Sequence, residues 1–166
     1  HTPMNLSSLL EARHVVGICG GADGGSEAAA LVAKTGSIAV VFEQNMRPYG
    51  KIEDGLPRWH SNLRRKEYAK LAENLSTPGV VFVPGTQLGK DLSFSTLSNG
   101  IGLSALILAH GAWRDRSLPI EGVDRFIGNG LSYQNPFVYW FNHYEESGFA
   151  GEDFPIHDDA IVRGGV

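Results

Sequence analysis

The 166 residues are 42% hydrophobic and carry a formal net charge of -4, which gives enough apolar material for one domain with a proper core and the wrong overall sign for a nucleic-acid binder. There is no apolar run of about 18 residues and no leader pattern, so the expectation is a cytoplasmic protein with neither a membrane nor a nucleic-acid partner. A single cysteine, Cys19, excludes a disulfide framework and a Cys/His metal site.

Residues 1–13 hold Leu6, Leu9 and Leu10 among serines and predict a short helix or arm with no identifiable chemistry. The stretch from His14 to Glu43 then reads as strand, glycine turn, helix, strand. Val15 to Cys19 is a short apolar run, and Gly20-Gly21-Ala22-Asp23-Gly24-Gly25 is a turn. Ser26 to Lys34 is an alanine-rich helix with Gly36 just past its end, and Ile38 to Phe42 is a second strand that stops at Glu43. That order is the dinucleotide-binding βαβ unit. Side chains must be absent where a backbone passes under a pyrophosphate at a helix N-terminus, and an acid about 20 residues on accepts hydrogen bonds from ribose hydroxyls. In the pattern G-x-G-x-x-G, the first and third glycines are Gly20 and Gly25, and Ala22 stands at the second position.

From Gln44 to His60, Pro48, Gly50, Gly55 and Pro57 predict an irregular loop, and loops of that length are usually functional. Ser61 to Leu75 has Leu63, Tyr68, Leu71 and Leu75 at helical spacing, with Ser61 as the N-cap. Arg47, Lys51, Arg58, Arg64, Arg65, Lys66 and Lys70 give residues 47–70 a local balance of +4, against -6 over residues 121–166. This basic stretch is either a solvated helix face or a surface for an anionic cofactor or partner.

Val80 to Val83 is a strand, Gly85 a turn, Thr86 to Leu88 a second extended piece, and Leu103 to Ala109 an apolar strand able to be buried on both faces. Leu131 to Asn142 is the densest aromatic cluster; a helix starting at Pro136 and running to about Tyr144 would place Phe137, Trp140 and Phe141 in packing roles. An acidic linker covers 147–158, and Ala160 to Gly165 begins another strand and glycine turn.

Five stretches in this order, VVGICGGADGGSEAA, VFEQNMRPYG, VVFVPGTQLGKDL, ALILAHGAWRDRSLPIEGVD and FVYWFN with the acidic linker and AIVRGG, resemble the N-terminal half of adrenodoxin-reductase-type ferredoxin:NADP reductases. They are equally similar to the small-subunit type of glutamate synthase. The resemblance implies an α/β fold: a Rossmann-like FAD-binding domain with a parallel central sheet and a small antiparallel β element, incomplete in itself. It further implies an FAD-binding domain over 1–146, then over 147–166 an acidic linker and the first strand of a truncated second nucleotide-binding domain. The cofactors implied are FAD and NADP, the latter held mostly outside this chain. The partners implied are an acidic electron carrier or a larger oxidoreductase subunit.

By position, the resemblance gives Gly20, Gly21, Ala22, Gly24 and Gly25 to the FAD pyrophosphate and Glu43, followed by Gln44, to the adenosine ribose. Leu88 falls near the adenine, Gly50 and Lys51 along the flavin, and Ala109, His110 and Gly111 on the strand end that passes FAD. No catalytic acid or base is assigned, although His60 and His110 are candidates near the flavin. Ala22, His110 and Arg163 depart from the family pattern. The activity implied is transfer of electrons from NADPH through FAD to an acceptor, with this chain inactive alone; the alternative is a nucleotide-binding module or interaction fragment without turnover.

Overall fold

A computed structural model describes residues 14–154. Three strands fall where the apolar runs place them: β1, Val15–Cys19; β2, Ile38–Phe42; and β3, Val80–Val83. The fourth, β4, is Ala105–Leu108, shorter than the expected Leu103 to Ala109. They form one sheet in the order β3-β2-β1-β4, every neighbouring pair parallel. The chain moves outward from β1 to β2 and β3 and then crosses to the opposite side of β1, so the switch point lies between the ends of β1 and β4.

The βαβ reading holds, with one shift. Helix α1 spans Asp23–Lys34, beginning three residues before the expected Ser26, with Ala22 as its cap residue. Two glycines therefore lie inside the first helical turn. A Cβ on Gly25 would fall 1.7 Å from the Gly20 carbonyl oxygen, so the helix start rests directly on the turn. Ile18, Ala29, Ala39 and Val41, all fully buried, lock α1 onto one face of the sheet.

Helix α2, Gly50–Asp54, is a short helix inside the segment expected to be irregular. Helix α3 covers Ser61–Leu75 as predicted, although Ser61 makes no capping bond and His60 takes the cap position. Leu71 is buried while Leu63 is exposed. Against α1, α3 is held by a Lys70–Glu27 ion pair of 3.0 Å and by Asn74 donating to Ser26 Oγ at 3.4 Å. Helix α4 spans Gln134–His143, two residues earlier than its proline predicted, with Pro136 tolerated because first-turn amides have no intrahelical acceptor. Trp140 and Val138 are buried, as packing aromatics and aliphatics should be.

Two expectations are corrected. The extended piece at Thr86 to Leu88 pairs with no strand, so among the described residues no antiparallel strand pair stands beside the sheet. Gly89 N–H donates to the Leu92 carbonyl at 2.8 Å, and the Gln87 amide donates to Asp91 Oδ2 at 2.9 Å, which curls the segment into a local loop. The second concerns β4, whose apolar run is able to be buried on both faces. It is an edge strand of the described sheet, and Leu108 remains 51% exposed. Residues 147–154 form an irregular tail, while the arm expected over 1–13 and the strand and glycine turn expected over 160–165 lie outside the described residues. No described helix is long and apolar enough to cross a membrane.

The turn generates a paired prediction. Gly25→Ala should destabilise the fold by about 1–3 kcal/mol, because its methyl collides with backbone rather than with a side chain that can move. Gly24→Ala, whose Cβ meets nothing within 4 Å, should be neutral or stabilise by up to about 1 kcal/mol through helix propensity. Urea unfolding midpoints of the two variants check both; equal shifts would contradict the assigned packing.

Candidate functional site

The carboxyl ends of parallel strands leave a crevice at the switch point, and here it is a cavity of about 470 Å³. Its floor is the glycine turn. Gly20 adopts φ of +98°, and a Cβ there would meet the Ala109 carbonyl at 2.5 Å, so only glycine lets the end of β1 lie against the end of β4. Gly24 presents bare backbone to the cavity, and the first-turn amides of α1 face this end without intrahelical partners. Gly25 does not line the cavity; its role is the helix contact described above. Gly21 also lies outside the lining, and its amide donates to Glu43 Oε2 at 2.8 Å.

Ala22 lines the cavity with an ordinary φ of -74°, which any residue can adopt. Its methyl stands beside Gly50, where a Cβ would approach it to 2.9 Å. The middle position of the fingerprint is therefore filled by a methyl accommodated by a glycine across the cleft. Beside it Asp23 brings a carboxylate to the same helix end, which favours the helix dipole and opposes a bound phosphate.

Glu43 is 5% exposed and fixed by two amides: Gly21 N–H on Oε2 and Asn45 N–H on Oε1 at 2.9 Å. Each oxygen keeps further acceptor capacity toward the cavity that Glu43 and Gln44 line. Leu88 lines the same side, together with Thr86 and Gln87 from the loop after β3. Across the turn lie Ala109, His110 and Gly111 after β4, with Gly50 and Lys51 from α2. Cys19 also borders the cavity, and burial pushes its thiol up from the ordinary range, consistent with an inert structural cysteine.

His60, a candidate in the sequence, does not reach the cavity: it is exposed at the start of α3 and neighbours the Trp59 ring. Trp113 was not anticipated. It borders the cavity, donates from Nε1 to the His110 carbonyl at 2.8 Å, and lies under the Lys51 ammonium, 4.7 Å from the ring centre. Only its place five residues beyond the β4 end gives any signal.

Polar residues of α4 hold the loop that carries Lys51. Asn142, 8% exposed, donates to the Glu53 and Leu56 carbonyls at 2.6 and 3.0 Å and accepts from the Arg58 amide at 2.9 Å. His143 contacts Asp54 at 3.0 Å, and Asn135 accepts from Lys51. Several cations of the basic stretch are also engaged: Arg58 pairs with Glu145 at 2.8 Å and Arg64 donates to the Tyr68 hydroxyl at 3.0 Å, leaving Arg65 and Lys66 exposed.

This geometry has relatives. The glutamate synthase [NADPH] small chain of Mycobacterium tuberculosis is 28% identical over 131 residues, which are 79% of this chain and 25% of that protein. The putative glutamate synthase [NADPH] small chain of Cereibacter sphaeroides is 31% identical over 119 residues, covering 71% of this chain and 28% of that one. The chain is a relative of the glutamate synthase small chains. It spans about a quarter of the length of these relatives. Mycobacterium tuberculosis FprA, solved in complex with NADPH, shares the fold with a TM-score of 0.63 and 22% identity over 78% of this chain and 29% of its own. No protein-family model matches the chain. The Rossmann-like α/β fold and the resemblance read from the sequence both stand.

The α4 clamp is open to test. Asn142→Leu strips partners from two carbonyls and one amide in the 53–58 loop and should cost more than about 2 kcal/mol. Amide hydrogen exchange of residues 53–58 should accelerate more than that of β1 and β2. Uniform acceleration across the fold would show that Asn142 does not secure this loop in particular.

Proposed function

We propose that the chain is the FAD-binding part of an NAD(P)H-dependent flavin oxidoreductase, which passes electrons from NADPH through FAD to an acceptor. The observation that carries this reading is the cavity at the switch point, where the glycine turn, the acid at the end of β2 and the exit of β4 converge. Its relatives are named NADPH-dependent glutamate synthase small chains, and FprA was solved with NADPH.

The cavity fits the adenosine diphosphate part of such a cofactor. The bare backbone of Gly20 and Gly24 and the first-turn amides of α1 would hold the pyrophosphate. Glu43, already held in place by two amides, accepts hydrogen bonds from the ribose hydroxyls. The loop at Leu88 would border the adenine, and Gly50, Lys51 and the Ala109 to Gly111 exit would hold the other half of the dinucleotide. When bound, FAD supplies the hydride and electron-transfer chemistry, while the protein positions it and shapes its electrostatics. NADP is held mostly by residues beyond this chain. Electrons leave to an acidic carrier or to a larger subunit of the glutamate synthase kind, and exposed Arg65 and Lys66 suit the former.

Ala22 favours a second reading, an adenine nucleotide bound without turnover, because a methyl stands at the middle position of the fingerprint where a dinucleotide's backbone contact is closest. The purified protein distinguishes the two. The oxidoreductase reading expects a flavin absorption spectrum, with free FAD released on heat denaturation. Glu43→Ala should weaken FAD binding by about 1–3 kcal/mol through the unpaired ribose hydroxyls, while Ala22→Gly should tighten it by restoring close backbone approach. A colourless protein that binds AMP and ignores FAD would favour the second reading, and unchanged FAD affinity in Glu43→Ala would remove the ribose role.

A further inference from the structure

The cleft has two ends of different chemistry, and the second is unusual. Glu43 and Leu88, beyond β2 and β3, define the adenosine end, so the redox-active half of a dinucleotide must run the other way, past the glycine turn toward β4. What waits there is a cation. Lys51 borders the cleft and also a second cavity of about 500 Å³, bounded by Trp113, Asp115, Asn135 and Tyr139. Its ammonium stands between the two.

The ammonium is held from the side of the second cavity. Asn135 Oδ1 accepts one of its protons, and the Trp113 ring lies 4.7 Å away. Asn135 is itself steadied by its amide donating to Asp115 Oδ1 at 3.4 Å, and Asp54 by His143. Burial acts to lower the affinity of Lys51 for its proton, and the fields of Asp115 and Asp54 oppose that effect. The result is a positive charge held in place at the end of the cleft away from the adenosine.

We propose that Lys51 is the electrostatic positioning residue for the redox-active ring of the cofactor and raises its reduction potential by favouring the reduced form. The inference rests on the FAD reading above. A hydride from a reduced nicotinamide delivers two electrons and one proton, so the ring that accepts it gains one unit of negative charge. A nearby ammonium in a partly dehydrated site stabilises that charge, and it does so more for the reduced than for the oxidised ring. Asn135 and Trp113 serve to keep the ammonium from turning toward solvent.

The test measures potential and affinity rather than turnover. In the full-length protein loaded with FAD, the midpoint potential is determined by dithionite titration against a reference dye, and the FAD Kd by fluorescence. Lys51→Met and Lys51→Gln should both shift the potential to more negative values. The ratio of reduced-form to oxidised-form Kd should rise about tenfold or more, with oxidised FAD binding changed far less. Lys51→Gln retains a donor to Asn135, so a loss shared by both variants belongs to the charge and not to the hydrogen bond. Lys51→Arg should restore most of the potential. An FAD-loaded neutral variant with the wild-type potential, or a potential that Lys51→Arg leaves at the Lys51→Met value, would overturn this inference alone. A wild-type protein that takes up no FAD would overturn it together with the reading on which it rests.

Discussion

Everything at the site depends on a place where no side chain can exist. The carbonyl oxygen of Gly20 lies where a Cβ of residue 25 would project, at 1.7 Å, and that contact sets how closely α1 can approach the end of β1. The helix start at Asp23 and Gly24 thereby borders the cleft, where its first-turn amides have no intrahelical acceptor. Gly20 has the complementary constraint, with its positive φ and the Ala109 carbonyl at 2.5 Å from any Cβ it might carry. One glycine brings the helix to the turn, and the other brings β4 to β1. A methyl at either position pushes apart two elements whose separation defines the cavity.

Glu43 extends that constraint across the sheet. Its Oε2 takes the Gly21 amide and its Oε1 the Asn45 amide, so one buried carboxylate braces the turn and the chain leaving β2 together. A charge buried this deeply must be met by donors, and here they are backbone groups that cannot swing away. The backbone continues the arrangement: Thr86 N–H donates to the Glu43 carbonyl at 2.8 Å and carries the brace into the loop after β3. The acid that the fingerprint assigns to ribose is thus also a structural member, which gives it a fixed orientation before any ligand arrives.

How much of this was legible in the sequence follows the range of the interactions. β1, β2 and β3 were readable because each is a short apolar run bounded by turn residues, and α3 because Leu71 and its neighbours repeat at helical spacing. The start of α1 lies earlier than the residues predict because glycine is a poor helix former, and what sets Gly25 at the helix start is its contact with Gly20 rather than propensity. Thr86 to Leu88 had the look of a strand but no partner to pair with, and a local bond to Asp91 took it instead. The aromatic cluster of α4 was correctly read as packing, yet its polar residues were passed over. Asn135, Asn142 and His143 act on residues 84 to 89 positions away in the chain, and nothing in the local pattern marks such contacts.

Those long-range bonds explain why the loop between Glu43 and His60 can be irregular and still precise in position. A segment with Pro48, Gly55 and Pro57 has little regular hydrogen bonding of its own, and each unpaired carbonyl in a partly buried place costs free energy. Asn142 answers two carbonyls and one amide with a single side chain, His143 fixes the end of α2, and Asn135 fixes the ammonium at its start. Helix α4 therefore does for the far end of the cleft what the glycine contact does for the near end. The near end is rigid by close backbone packing, whereas the far end is rigid by hydrogen bonds to side chains. The chemistry of the far end therefore rests on side-chain hydrogen bonds from α4, and that of the near end on the backbone of the turn.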